Sequence, residues 1–115
     1  MADNQKRIPA LFYQSDSGKQ PVRDWLMKLD VADRKTIGAD IKTVEFGWPI
    51  GMPICRPMGK GLYEVRSSLA GGRIARVLFC LYDSQMILLH GFIKKTQKTP
   101  KQELDLALEC QMSRS

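Results

Sequence analysis

Two arginines lie inside apolar segments that favour extended structure. Arg66 alternates with Leu62 and Glu64, and Arg76 lies in the run IARVLF. An arginine in such a strand is costly to bury without a partner. It indicates either a structural position, in an ion pair (for instance with Glu64) or at a strand edge that faces water, or a face that binds phosphate. Arginine suits phosphate because its guanidinium donor fork matches phosphate oxygens. Spacing alone leaves both interpretations open.

A second group of cations follows the last apolar run, in the segment HGFIKKTQKTP. It contains Lys94, Lys95 and Lys98, and a charge run of this kind is usually a solvated loop. In an antiparallel meander, however, this loop and the two arginines belong to neighbouring strands. That arrangement predicts a cluster of cations with few acidic residues to neutralise it.

The charge distribution favours a polyanionic partner. The 115-residue chain has a net charge of +6, and residues 60–101 carry all of this excess, with eight basic residues and two acidic ones. A basic centre of this kind points to a polyanion.

Other catalytic chemistry has weaker support in the sequence. His90 is the single histidine, and one histidine in a strand is more often buried or hydrogen-bonded than catalytic. Only Glu64 and Asp83 accompany it in the basic segment, which is a poor ligand set for catalytic zinc. The sequence also lacks a nucleophile elbow, a phosphate-cradling glycine loop and a dinucleotide fingerprint. We therefore expect neither a metal nor another cofactor.

The elements before the basic segment are predicted to be a strand and two helices. The apolar run 8–13 predicts the strand, and the first amphipathic helix begins at Pro21. The second helix is followed by GWPIGMPICRPMGKG, whose three prolines and four glycines predict an ordered loop.

The basic segment itself is predicted to form three antiparallel strands, over 62–68, 73–82 and 86–93. Thr99 and Pro100 then begin a short C-terminal helix. A chain of this length buries one core, so residues 1–115 are predicted to form a single α+β domain.

The absence of cysteine motifs and of long apolar segments from the sequence indicates the cellular compartment. The three cysteines have no CxxC spacing and are interpreted as small buried residues in a reducing cytosol. The N-terminus has no apolar run, and no stretch of eighteen apolar residues occurs. We expect a cytoplasmic protein without a signal peptide or membrane span.

Two segments, LYEVRSSLAGGRIARVLFCL and MILLHGFIKKTQKTPKQELDLALE, resemble the phage-derived, HigB-like branch of the RelE/ParE toxin superfamily. The similarity extends from about Ile8 to Glu109. It implies the α+β, RelE-like fold, with an N-terminal strand, two helices, an antiparallel β-meander and a short C-terminal helix.

The resemblance also implies a function. It suggests a type II toxin that cleaves messenger RNA without a metal, commonly on the ribosome, and that is neutralised by a cognate antitoxin with a helix-turn-helix domain. In such enzymes a basic cluster promotes attack of the ribose 2′-oxygen on the adjacent phosphate. Arg66, Arg76, Lys94 and Lys95 match the family's catalytic cations. Some relatives use a tyrosine or histidine in the last helix, and this chain has neither after Lys95.

Five further residues of the basic segment are predicted to contact RNA, through charge or through stacking of a base on an aromatic ring. They are Lys60, Tyr63, Arg73, Phe92 and Lys98. Core packing is the alternative for the two aromatic rings.

Two other functions fit the same features. A ParE-like toxin of the same fold would poison DNA gyrase and leave RNA intact. A non-catalytic, basic nucleic-acid-binding phage accessory protein would use the cationic patch for binding alone.

Overall fold

The computed structural model describes residues 5–95 and 98–113. These residues form five strands and three α-helices. The strands are β1 Ala10–Phe12, β2 Cys55–Gly59, β3 Leu62–Ser68, β4 Ile74–Tyr82 and β5 Gln85–Lys94, and the helices are α1 Pro21–Met27, α2 Val31–Gly47 and α3 Lys101–Ser113. This order confirms the predicted α+β fold. None of the described helices is long and apolar enough to cross a membrane.

The five strands form one mixed sheet in the order β1-β5-β4-β3-β2. β3, β4 and β5 are antiparallel, as predicted, whereas β1 pairs with β5 in parallel. The register places Arg66 opposite Arg76, and Arg76 opposite Phe92. Because directly paired residues share a face of a sheet, these three side chains form one row.

The prediction of a loop throughout GWPIGMPICRPMGKG was wrong, because this stretch contains β2. β2 is an edge strand, where the missing N–H of Pro57 is tolerated. The pairing is irregular between Pro57 and Gly59, as expected for a segment with these residues. β2 pairs with β3 so that Arg56 lies opposite Glu64. The strand thereby adds a cation to the face that carries Arg66.

Helices cover both faces of the sheet. One face packs against α1 and α2, and its buried residues include Val65, Ala75, Val77, Phe79 and Leu88, together with Val22, Ile37 and Val44 of the helices. The other face packs against α3, and its buried residues include Leu62, Leu78, Leu89 and Phe92, together with Ala107 of that helix. The alternation of side chains along β3 and β4 therefore assigns Arg66 and Arg76 to the α3 face.

Gly91 of β5 lies directly against Trp25 of α1. A Cβ atom at position 91 would lie 2.5 Å from two carbon atoms of the Trp25 ring, which packs against the core. We therefore expect Gly91→Ala to lower the free energy of unfolding by about 1–3 kcal/mol, because the ring must move.

Gly38, in the middle of α2, provides the matched control for that substitution. A Cβ atom there would have no neighbour within 4 Å among the described residues. Gly38→Ala is expected to raise the free energy of unfolding by about 0.5–1 kcal/mol, because alanine favours the helix. Urea unfolding measures both changes, and equal effects of the two variants would contradict the close packing at Gly91.

Candidate functional site

Charged side chains collect on the α3 face of the sheet, beside the start of that helix. Leu62 and Leu78 lie under α3 in an apolar cluster. Further along the same face, β3 carries Glu64 and Arg66, and β4 carries Arg76. The face therefore changes from an apolar core to a cationic cluster within a few residues of each strand.

Glu64 occupies the centre of this cluster, and its side chain is fully buried. Its Oε1 lies 3.3 Å from Nη2 of Arg56 and 3.8 Å from Nε of Arg66. Its Oε2 lies 3.9 Å from Nε of Arg76 and accepts a hydrogen bond from the hydroxyl of Thr99. One buried carboxylate thus accompanies three guanidinium groups, so the cluster keeps a net positive charge.

The three arginines differ in their access to solvent. The side chain of Arg76 is 0 % exposed, that of Arg66 is 12 % exposed and that of Arg56 is 32 % exposed. Burial lowers the pKa of Arg76 from its ordinary value, Glu64 opposes this shift, and the charges of Arg66 and Arg56 add to it. The guanidinium of Arg76 also lies 5.7 Å from the centre of the Phe92 ring. Arg66 and Arg56 reach the surface, whereas Arg76 lies beneath it.

A second ionic group connects α3 to β5. Oε1 of Glu103 lies 2.6 Å from Nε2 of His90, and Oε2 lies 3.1 Å from Nζ of Lys94. Burial raises the pKa of Glu103, but the hydrogen bonds with His90 and Lys94 outweigh burial and lower it overall. The His90 ring also stacks on Phe92, with 5.9 Å between the ring centres. These contacts match the interpretation of His90 as a hydrogen-bonded residue.

A pocket of about 260 Å³ opens beside Arg66. Its lining combines a guanidinium and a hydroxyl with apolar side chains: Arg66, Ser68, Ile74, Met52 and Pro53. Such a lining suits an anionic group that is attached to a less polar one, because the cation binds the charge and the apolar walls pack against the remainder.

Two residues predicted to contact RNA lie on the opposite side of the sheet. Arg73 binds Asp33 of α2 through two hydrogen bonds, of 2.8 and 3.0 Å, and these raise the pKa of Arg73 and lower that of Asp33. Tyr63 stacks on Phe79, with 5.5 Å between the ring centres, and packs against the core there. The structure therefore does not bring Arg73 and Tyr63 together with Arg66.

The predicted lysines fall into two places. Lys94 is 41 % exposed at the end of β5, and the exposed Lys95 and Lys98 follow it. Residues 96–97, between these two lysines, lie outside the described residues. Lys60 is exposed in the turn between β2 and β3, where its carbonyl accepts a hydrogen bond from Gln111 near the other end of α3. Lys60 lines, together with Lys101 and Leu104, a pocket beside α3 that is different from the pocket of Arg66.

Sequence reasoning missed Arg56 and Glu103 as parts of the site. No sequence signal marked Arg56, because the prolines and glycines around it weaken any strand signal for β2. The position of Glu103 in the first turn after Pro100 marked it as the start of a helix, but nothing in the sequence indicated which strand that turn would meet.

Metal and thiol chemistry have little support in the described structure. No group of three or more His, Cys, Asp or Glu side chains that could hold a metal ion occurs in residues 5–95 and 98–113. Burial raises the pKa of Cys55 to about 11, which disfavours a nucleophilic thiolate.

Comparison with known proteins gives one family. A family model described as phage derived protein Gp49-like (DUF891) matches residues 24–111, which include every charged side chain of the two ionic groups. No curated protein matches the chain.

Proposed function

Because this chain belongs to the phage-derived Gp49-like family, which is related to HigB-like RelE/ParE toxins, we propose that it is the toxin of a type II toxin-antitoxin system. It is an endoribonuclease that cleaves messenger RNA on the ribosome in the cytoplasm and so inhibits translation. The observation that carries the proposal is the cationic cluster, in which the single carboxylate of Glu64 accompanies three arginines beside the Arg66 pocket.

The cluster suits RNA cleavage by the ribose 2′-oxygen. That oxygen attacks the adjacent phosphorus, the bond from phosphorus to the 5′-oxygen breaks, and the products carry a 2′,3′-cyclic phosphate and a 5′-hydroxyl. The reaction needs a base, an acid and stabilisation of the negative charge on the phosphorane. Arg66 supplies this stabilisation, and Lys94 and Lys95 supply further charge and the proton transfers. Fixed cations thereby replace a metal ion.

We assign Arg76 a supporting role rather than contact with the substrate. A side chain that is 0 % exposed does not touch the substrate, so Arg76 acts through Glu64 and Arg66. Phe92 is 6 % exposed and lies among Arg76, His90 and Lys94, where it supports these side chains more than it offers a surface for a base.

The protein partner in this proposal is a cognate antitoxin with a helix-turn-helix domain. Its reading frame is expected beside the gene for this chain. Co-expression of that frame should restore the growth of cells that express this chain.

Expression of the chain without a partner is expected to arrest growth through translation. We expect messenger RNA to be cut within minutes of induction and before any change in DNA content, because a ribonuclease acts on RNA directly. Purified chain with translating ribosomes should produce the same cuts, mapped by primer extension, and any cleavage of free RNA should persist in a chelator.

The same assay separates the alternatives. Intact messenger RNA with stalled DNA replication would favour a ParE-like gyrase poison. Salt-dependent RNA binding without any cleavage would favour an accessory binding protein. Normal growth at full expression of soluble chain, with intact messenger RNA, would contradict the proposed function.

A further inference from the structure

We infer that Arg56 and Arg66 together bind one phosphate group of the RNA, and that Glu64 is the counter-ion that aligns both guanidinium groups. This inference rests on the proposed function, since it identifies residues that hold the substrate. Arg56 is the new element, because it comes from the edge strand β2.

Arg56 and Arg66 converge on one carboxylate oxygen. Nη2 of Arg56 and Nε of Arg66 lie 3.3 and 3.8 Å from the same oxygen, Oε1 of Glu64. Two guanidinium groups close to one oxygen are close to each other as well. Glu64 does not swing away from them, because its side chain is buried and its other oxygen is held by Thr99.

The charges of Arg56, Arg66 and Glu64 do not cancel. Arg56 and Arg66 bring two positive charges to one negative charge, so the group attracts a further anion. Each guanidinium has five N–H donors in a fixed fork, more than one carboxylate oxygen accepts. The side chain of Arg56 is 32 % exposed, so part of its fork is accessible to a ligand. A phosphate group offers the oxygens that this arrangement of donors recognises.

A ligand can reach Arg56 and Arg66 from the edge of the sheet. β2 forms the edge of the sheet, so a ligand reaches Arg56 from the side without displacing another strand. The pocket of about 260 Å³ opens beside Arg66 and has the hydroxyl of Ser68 in its lining. A phosphate between the two arginines would leave this pocket for the attached ribose. Arg76 cannot replace Arg56 here, because its side chain is 0 % exposed.

The test measures RNA binding separately from cleavage. The probe is a fluorescently labelled single-stranded RNA with 2′-O-methyl riboses, which lacks the attacking hydroxyl and stays intact. Arg56→Gln is expected to weaken binding about ten- to hundred-fold at low salt, as for the loss of a charge-assisted contact. The slope of log Kd against log salt should become shallower by about 0.7, the value for one phosphate contact on a single strand.

Two further variants make this test specific. Arg23→Gln removes an exposed arginine of α1, paired at 4.0 Å with Asp24, and should leave affinity and slope unchanged. Arg56→Lys keeps the point charge without the fork, so it should retain the salt slope and lose part of the affinity. If Arg56 had a purely structural role, Arg56→Lys would not keep the wild-type salt slope while its affinity for RNA falls.

The possible results decide the inference. Equal affinity and slope for Arg56→Gln and Arg23→Gln would overturn it and leave the proposed function standing. Absence of RNA binding by the wild-type chain would overturn it too, whereas cleavage on ribosomes tests the function separately. If Arg56→Gln does not fold, Arg56→Lys decides, and wild-type affinity in that variant would refute a phosphate-binding fork.

Discussion

Replacement of Arg66 by alanine is expected to lower the rate of RNA cleavage by about 10²- to 10³-fold, comparable to the loss of one preorganised donor in a catalytic site. Arg66 lines the pocket on the α3 face, and its side chain keeps 12 % exposure there. Glu64 fixes the position of its guanidinium before the substrate binds. Removing the Arg66 guanidinium is therefore expected to remove the transition-state stabilisation that this positioned group provides.

The fold should survive the Arg66→Ala substitution. Glu64 keeps its contacts with Arg56, Arg76 and Thr99, so no buried carboxylate is left without partners. Cleavage rate and thermal melting are measured on one preparation, with Arg23→Ala as the control for an exposed arginine. Wild-type cleavage by a folded Arg66→Ala chain would remove this arginine from the site.

Much of the sheet was predictable because its strands follow simple alternation. The predicted strand 62–68 coincides with β3, and the next two predictions differ from β4 by one residue at its start and from β5 by one residue at each end. The edge strand β2 was not predictable in the same way, since three prolines and four glycines weaken any strand signal. Its pairing with β3 depends on tertiary contacts that these local preferences do not report.

The same alternation predicted part of the site. Even-numbered residues of β3 and β4 share the α3 face, which correctly grouped Arg66 with Arg76. Tyr63 is odd-numbered and Arg73 lies one residue before β4, so the same argument would have assigned both to the α2 face. The prediction grouped residues by their charge and their nearness in sequence, so it did not distinguish the two faces of the sheet.

An ion pair with Glu64 was one of the alternatives for Arg66 and Arg76, and the structure contains both pairs. Two other sets of ion pairs were beyond sequence reasoning because they join distant elements. Glu103 meets His90 and Lys94 only because α3 packs on the end of β5. Arg56 meets Glu64 only because β2 adds to the edge of the sheet. Such contacts depend on how elements dock, and docking is set by the whole core rather than by any local pattern.

The burial of Arg76 favours one of the two roles that the sequence had left open, the ion pair with Glu64. An arginine that is 0 % exposed and 3.9 Å from a buried carboxylate belongs to the interior ion group. Removing one member of such a group costs more than the group itself contributes, because the remaining charges stay buried. Glu64 and Arg76 are not equivalent members of this group, however. Removing Glu64 takes the counter-ion from three arginines. Removing Arg76 leaves Glu64 paired with the other two arginines.

Glu64→Gln is therefore expected to cost about 3–5 kcal/mol of unfolding free energy, because it leaves the buried Arg76 and the mostly covered Arg66 without their carboxylate. Arg76→Met should cost less, about 1–3 kcal/mol, since Glu64 keeps Arg56, Arg66 and Thr99. The double variant should be more stable than the sum of the single losses by about 0.5–3 kcal/mol, because methionine no longer needs a counter-ion. Urea unfolding of the four chains measures these values. An Arg76→Met loss that equals or exceeds that of Glu64→Gln, with additive effects, would show that Glu64 is not the centre on which the three arginines depend.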